Sequence, residues 1–155
     1  MLYLVVKYLH VLGAIVLLGT GVGIAFFMLM AYLSGDAGHI LRTARTVVLA
    51  DFLFTATAVV AQPLTGLWLA YASNMSLGDL WLLLSLVLYG VAGLFWLPVV
   101  WMQMRMRDLA AEAVAADAPL PAAYHHLIRL WFLFGIPGFG ALLAIVWLMI
   151  VRPVL

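Results

Sequence analysis

Residues 3–33 read YLVVKYLHVLGAIVLLGTGVGIAFFMLMAYL, an apolar stretch whose only lysine and histidine are Lys7 and His10. A helix needs about 20 apolar residues to cross the roughly 30 Å hydrocarbon core of a bilayer. The stretch exceeds that length, so it predicts a membrane-spanning helix. Lys7 and His10 stand three positions apart near its start and therefore share one face of that helix.

Three further apolar stretches follow, at residues 47–71, 80–104 and 124–151. The chain is 68% hydrophobic and 8% charged, whereas a soluble domain carries about 25% charged residues. Because hydrocarbon cannot satisfy backbone polar groups, each stretch must be helical. We therefore predict an all-α integral membrane four-transmembrane-helix bundle. Residues 1–155 form a single membrane domain, with helices at about 3–33, 41–72, 79–115 and 123–152.

Several classes of protein are excluded by composition. The formal net charge of +1 and the lack of a basic run argue against a nucleic-acid partner. The chain has no cysteine, which excludes disulfides, thiolate metal sites and iron–sulfur clusters built from its own residues. The first apolar stretch is too long for a signal peptide, and no small-residue cleavage site follows it.

The distribution of lysine and arginine predicts the orientation in the membrane. Five arginines fall on the side of the first and third connections: Arg42, Arg45, Arg105, Arg107 and Arg129. Lys7 and Arg152 fall on the opposite side. The positive-inside rule then places the first and third connections in the cytoplasm. Both termini are expected to be periplasmic, in a bacterial inner membrane.

Polar residues recur at helical spacing along the second and third helices. The second helix carries Asp51, Thr55, Ala58, Gln62 and Thr65, and the third carries Ser85, Tyr89, Gly93, Trp96, Gln103 and Arg107. Such faces should point into the bundle, since lipid cannot satisfy them. We expect Asp51 to form a structural ion pair with Arg105 or Arg129, with a proton relay as the alternative role.

Glycines crowd the first helix at positions 13, 19, 21 and 23, and the fourth at positions 135, 138 and 140. They favour close helix packing, and the alternative is that they make room for a flat ligand. The lipid bilayer is the expected environment. The glycine faces are compatible with a homodimer or with another membrane subunit as partner.

His10 is the histidine with the strongest functional prediction. It lies roughly 25 Å or more along the helices from His39, His125 and His126, so one metal ion cannot be shared among them. An imidazole in apolar surroundings can ligate haem iron. We therefore expect a cofactor or metal site at His10, with Lys7, Gly13, Gln62, Tyr89 and Trp96 as further binding residues.

Three segments carry a resemblance to known families: KYLHVLGAIVLLGTG (7–21), QPLTG (62–66) and IPGFGALLAIVWLMIVRP (136–153). Together they resemble a family of small bacterial integral membrane proteins of unknown function, over nearly the whole chain. The K-x-L-H opening and the closing I-V-x-x-x-x-V-R-P are also similar to HemJ-type protoporphyrinogen oxidases. The opening alone is similar to CopD membrane domains.

The resemblance to HemJ-type proteins implies a four-helix bundle that binds haem b, with His10 as the axial ligand and Pro137 and Pro153 as structural matches. The motifs expected near residues 26–36 and 130–137 are absent, so the oxidase activity itself is not carried over. We expect a b-type haem-binding redox protein. The alternative is a non-catalytic subunit, assembly factor or transporter-like bundle without a cofactor.

Overall fold

Four helices make up almost all of the computed structural model, which describes residues 1–153. They are α1 (Leu2–Ser34), α2 (Ala37–Ala72), α3 (Leu80–Ala115) and α4 (Ala122–Val151), and each is long and apolar enough to cross a membrane. The predicted all-α bundle of four membrane helices is thus confirmed. The last two residues of the predicted domain, 154 and 155, lie outside the described residues.

The connection between α1 and α2 is shorter than predicted. Gly35 ends α1 in the left-handed conformation, with φ at 70°, which glycine adopts without steric penalty. The carboxylate of Asp36 then accepts a hydrogen bond from the Gly38 N–H at 2.8 Å and caps α2. Helix α2 therefore begins at Ala37 rather than near residue 41. His39, which the sequence placed in the loop, lies in its first turn.

Helix α2 changes its hydrogen-bonding pattern near its middle. Residues Asp51–Thr55 are π-helical, and the Ala56 N–H donates to the Asp51 carbonyl five residues earlier. The 36 residues of α2 span about 54 Å. Asp51 thus lies about 21 Å along α2, deeper in the bundle than its position in the apolar stretch suggested. Single-turn π segments of this kind are frequent at functional sites.

The four helices pack unevenly along the bundle. Helices α3 and α4 pack closely on each other, the first half of α2 packs on both α1 and α3, and its second half packs on α1. The main buried core fills the end at which α1 joins α2 and α3 joins α4. Helices α1 and α4 touch each other at few positions. The bundle is therefore tightly packed at one end, whereas α1 and α4 make few contacts with each other.

Aromatic contacts close the packed end. The ring of Tyr124 stacks on Tyr32, with centroids 6.3 Å apart and planes inclined by 22°. The Tyr32 hydroxyl lies 3.1 Å from His125 Nδ1. Tyr124 is fully buried. These contacts join the last turn of α1 to the first turn of α4 and give His125 a structural partner.

Candidate functional site

His10 is held by the second helix in a defined orientation. Its Nδ1 lies 2.8 Å from the Thr65 hydroxyl oxygen. The Thr65 hydroxyl can donate to the Ala61 carbonyl, at 2.7 Å, and in the tautomer that carries the hydrogen on Nδ1, His10 then donates to the Thr65 oxygen. The Nε2 atom forms no hydrogen bond with any residue in 1–153. It therefore keeps its lone pair when the imidazole is neutral.

Two glycines let α1 and α2 approach each other around His10. The Gln62 amide Nε2 donates to the His10 carbonyl at 2.7 Å. A side chain at Gly13 would collide with that amide, and one at Gly66 would lie 3.0 Å from the His10 ring. Gly13 thus makes room for Gln62 and not for a flat ligand. The Gln62 amide lies against Gly13, one turn along α1 from His10.

Lys7 stands apart from the other predicted binding residues. Its side chain is exposed, and it forms no salt bridge or hydrogen bond within the part of the chain that the structure describes. It shares the helix face of His10, one turn closer to the N-terminus. The structure brings His10, Gly13 and Gln62 together and leaves Lys7 outside that group.

Tyr89 satisfies a backbone carbonyl that a proline leaves open. Pro63 has no N–H, so the Val59 carbonyl four residues earlier lacks its helical partner. The Tyr89 hydroxyl donates to the Val59 oxygen. The hydroxyl of Tyr89 therefore replaces the missing helical hydrogen bond and ties α3 to α2.

The Tyr89→Phe variant should lower the free energy of unfolding by about 1 kcal/mol, within the range for hydrogen bonds between membrane helices. Pro63→Ala restores the N–H, so Tyr89→Phe should cost clearly less in the Pro63→Ala background. A double-mutant cycle of unfolding in detergent micelles measures the difference. Equal costs in the two backgrounds would show that the tyrosine acts by packing alone.

A cavity of about 670 Å³ lies between α1 and α4, against α2 and α3. Its walls are mostly apolar and include Gly21, Gly93 and Gly135. Its edges are formed by exposed side chains, among them Val22 of α1 and Ile136 of α4. The cavity therefore opens sideways, toward the lipid. His10 is not part of its wall.

Four buried polar side chains in this wall have an atom without a hydrogen-bond partner among residues 1–153. They are Asp51 (4% exposed), Thr55 (7%), Gln103 (3%) and Trp131 (5%), and the atoms are Oδ2, Oγ1, Oε1 and Nε1 respectively. Leaving such an atom unsatisfied costs about 1–3 kcal/mol. The atoms themselves have almost no accessible surface, so a bound molecule would satisfy them only after these side chains turn toward the cavity.

The ion pair predicted for Asp51 is not formed. Asp51 Oδ1 instead faces the indole Nε1 of Trp96 at 3.5 Å, a long hydrogen bond. Arg105 pairs with Glu112 at 3.4 Å. Arg129 is exposed and has no ion-pair partner within the described range. The prediction fails because Asp51 lies near the middle of α2, whereas both arginines lie toward the packed end.

A smaller cavity of about 40 Å³ links the two groups of predicted residues. Gln62 and Tyr89 line it, and Tyr89 and Leu17 also line the larger cavity. Trp96 lies in the wall of the larger cavity beside Asp51. The predicted binding residues therefore form two groups. Gly13 and Gln62 lie with His10, whereas Tyr89 and Trp96 line the larger cavity. In residues 1–153, no three His, Asp or Glu side chains come together as a metal site would require.

The site predicted from the sequence did not include several of the residues that the structure places around His10 and the larger cavity. Gln103 stands seven positions after Trp96 on the same helix face, a spacing that could have included it. Trp131 and the π-helical turn carry no such signal, because the place of Trp131 depends on how α4 packs on α3 and the surroundings of the π-helical turn depend on how α2 packs on α1. Thr65 and Gly66 belong to the QPLTG segment and could have been included with Gln62.

A family model described as "predicted integral membrane protein (DUF2269)" matches residues 4–153. No curated protein matches the chain, and no solved structure does. The match covers nearly all of the sequence, in keeping with four membrane helices in one unit.

Proposed function

The chain belongs to the DUF2269 family of predicted integral membrane proteins, and we propose that it binds a lipid-soluble small molecule in the cavity between α1 and α4. A protein with this function would be a binding or transporter-like bundle, the alternative to a haem protein that the sequence left open. Its ligand enters sideways from the bilayer and places polar atoms against Asp51, Thr55, Gln103 and Trp131.

One observation carries the proposal: unpartnered polar atoms in the wall of a cavity that is open to lipid. Buried polar groups are normally hydrogen-bonded, and each exception calls for an explanation. Ligand sites are mostly apolar with a few convergent polar groups, which is the composition of this wall. A molecule with an apolar body and polar substituents would match both the apolar surface and the few polar groups of this wall.

Filling the cavity should abolish binding without unfolding the protein. A leucine at Gly93 would enter the cavity, since nothing lies within 4 Å of its Cβ position. Gly90 is also open at Cβ and is exposed outside the cavity. Native mass spectrometry of the purified protein should therefore detect a bound lipid-soluble molecule in wild type and in Gly90→Leu, and none in Gly93→Leu.

A bound molecule retained equally by both variants would place the binding site elsewhere and contradict the proposal. So would a wild-type protein that carries no small molecule when it is extracted in mild detergent. Circular dichroism of the two variants checks that both remain helical.

Haem b at His10 is the second candidate, and the observation that favours it is the orientation of the imidazole. Thr65 holds Nδ1 as the donor, which directs the lone pair of Nε2 away from Thr65. Metal-bound histidines commonly donate their other ring nitrogen in this way. Gln62 occupies the space next to Gly13, so a haem bound at His10 would not lie against that glycine.

The haem proposal is tested by absorption spectroscopy. Protein purified from haem-replete cells should show a Soret band that is lost in His10→Ala and kept in His126→Ala. A colourless wild-type preparation would exclude it and would leave the cavity proposal untouched, because His10 does not line the cavity.

We also propose a bacterial inner membrane location with both termini in the periplasm, from the arginines at the packed end. A cysteine introduced at Leu2 should react with a membrane-impermeant maleimide added to intact spheroplasts, whereas one at Ala37 should not. The opposite pattern would invert the orientation.

A homodimer or a further membrane subunit stays a prediction, which the mass of the detergent-solubilised complex would test.

A further inference from the structure

We infer that the molecule taken up by the cavity is a lipophilic organic cation, with the Asp51 carboxylate as its counter-ion. The statement rests on the proposed function, because it assigns a charge to the ligand of the same cavity. Three features support it: the acidic side chain in the wall, the absence of a basic partner for Asp51 among the described residues, and the aromatic side chains that line the same cavity.

Among the described residues, one acidic and no basic side chain lines the cavity. Asp51 lines the cavity, and no lysine, arginine or histidine among the described residues does so. A carboxylate withdrawn from water is strongly disfavoured unless an opposite charge or several hydrogen bonds compensate it. Trp96 donates a long hydrogen bond to Oδ1, and the Thr55 hydroxyl lies near the carboxylate, but both groups are neutral and supply no opposite charge. The cavity is therefore complementary to a cation.

The protein does not supply that cation from its own side chains. Arg105 pairs with Glu112, and Arg107 pairs with Asp108 at 2.7 Å. Within the described part of the chain, no basic group lies within 4.0 Å of the Asp51 carboxylate. Intramembrane carboxylates commonly mark ion or substrate pathways. Here the compensating charge would arrive with the ligand.

Aromatic side chains line the same cavity as Asp51, and Trp96 is the one that contacts its carboxylate in the described residues. They include Trp96, Trp131, Phe134 and Phe139 in the cavity wall. The face of an aromatic ring attracts a cation, by about 2 kcal/mol or more where water is excluded. No basic side chain of the described residues occupies these rings. The wall therefore offers an anion and several ring faces to one positively charged guest.

A bare metal ion fits this site poorly. Hard cations take six or more oxygen ligands at fixed distances. Asp51 and Thr55 supply three side-chain oxygens, but Gln103 lies about 10 Å farther along the bundle, since it is seven residues beyond Trp96. The remaining wall is apolar. The size and apolarity of the cavity instead match an organic cation with hydrocarbon or aromatic substituents.

Three isosteric probes test the inference: tetraphenylphosphonium, neutral tetraphenylsilane and anionic tetraphenylborate. Binding of each to the full chain in lipid nanodiscs is measured by equilibrium dialysis, with empty nanodiscs subtracted to remove partitioning into lipid. Tetraphenylphosphonium should bind about ten-fold more tightly than the other two probes, as expected for a desolvated charge pair. Asp51→Asn keeps the side-chain shape and should remove this preference.

The outcomes separate the inference from the proposed function. Equal binding of all three probes, or tetraphenylsilane binding better, would overturn the cation assignment while leaving a lipid-soluble ligand in place. No saturable binding of any probe, together with no co-purified molecule, would overturn both. A charge preference that survives in Asp51→Asn but disappears in Gly93→Leu would also contradict the role of Asp51. The comparison among probes in the wild-type protein does not depend on the variant folding.

Discussion

Tyr124→Ala is expected to lower the free energy of unfolding by about 3–5 kcal/mol, the usual cost of removing a large buried aromatic side chain. Tyr124 is fully buried in the main core at the packed end. Its ring stacks on Tyr32 and thereby joins the end of α1 to the start of α4. Unfolding by SDS titration in mixed micelles, followed by tryptophan fluorescence, measures the change.

Tyr124→Phe provides the matched control. The Tyr124 hydroxyl has no hydrogen-bond partner among the described residues, so removing it deletes an unsatisfied buried group and keeps the stacked ring. We expect this variant to be as stable as wild type or slightly more stable. A loss as large as that of Tyr124→Ala would mean that the hydroxyl, and not the ring, stabilises the packed end.

Gly13→Ala is expected to destabilise the bundle by about 1–3 kcal/mol, the cost of overpacking a filled interface. The new methyl group would collide with the Gln62 amide. Gln62 would have to move, and its hydrogen bond to the His10 carbonyl would be lost. The same unfolding titration measures the effect, and proton NMR of the His10 ring reports whether the contact with Thr65 persists.

Gly19→Ala, in the same helix, is the control for this substitution. Apart from its own helix backbone, no atom of residues 1–153 lies within 4 Å of the Cβ position of Gly19. Its stability should stay within about 0.5 kcal/mol of wild type, as for substitutions away from packed features. Equal losses in the two variants would indicate that the first helix responds to a methyl group at any glycine, and that Gly13 has no special contact with Gln62.

Local properties of the chain were enough to predict the number and kind of its helices. Hydropathy and length identify a membrane helix because the bilayer imposes the same requirement on every spanning segment. The 79–115 prediction for the third helix differs from the observed Leu80–Ala115 by one residue. The predicted start of α2 was less accurate, because the Asp36 cap starts the helix before the apolar stretch begins.

The inward direction of the polar faces was also predictable, because spacing along one helix determines which residues share a face. Asp51, Thr55 and Gln62 are all buried, in line with the expected stripe. What each side chain contacts was not predictable. Asp51 was assigned an arginine and lies against Trp96 instead, because the axial position of α3 against α2 decides which residue meets it.

The sequence by itself determined that this protein has four apolar helices, that it is a membrane protein and that its polar residues face inward. These properties depend on residues within one helix and on the bilayer. Only the tertiary structure decided that Gly13 accommodates Gln62, that Asp51 lacks an ion pair and that a cavity opens between α1 and α4. These three features depend on the distances and rotations between helices, which are set when side chains far apart in the chain pack together.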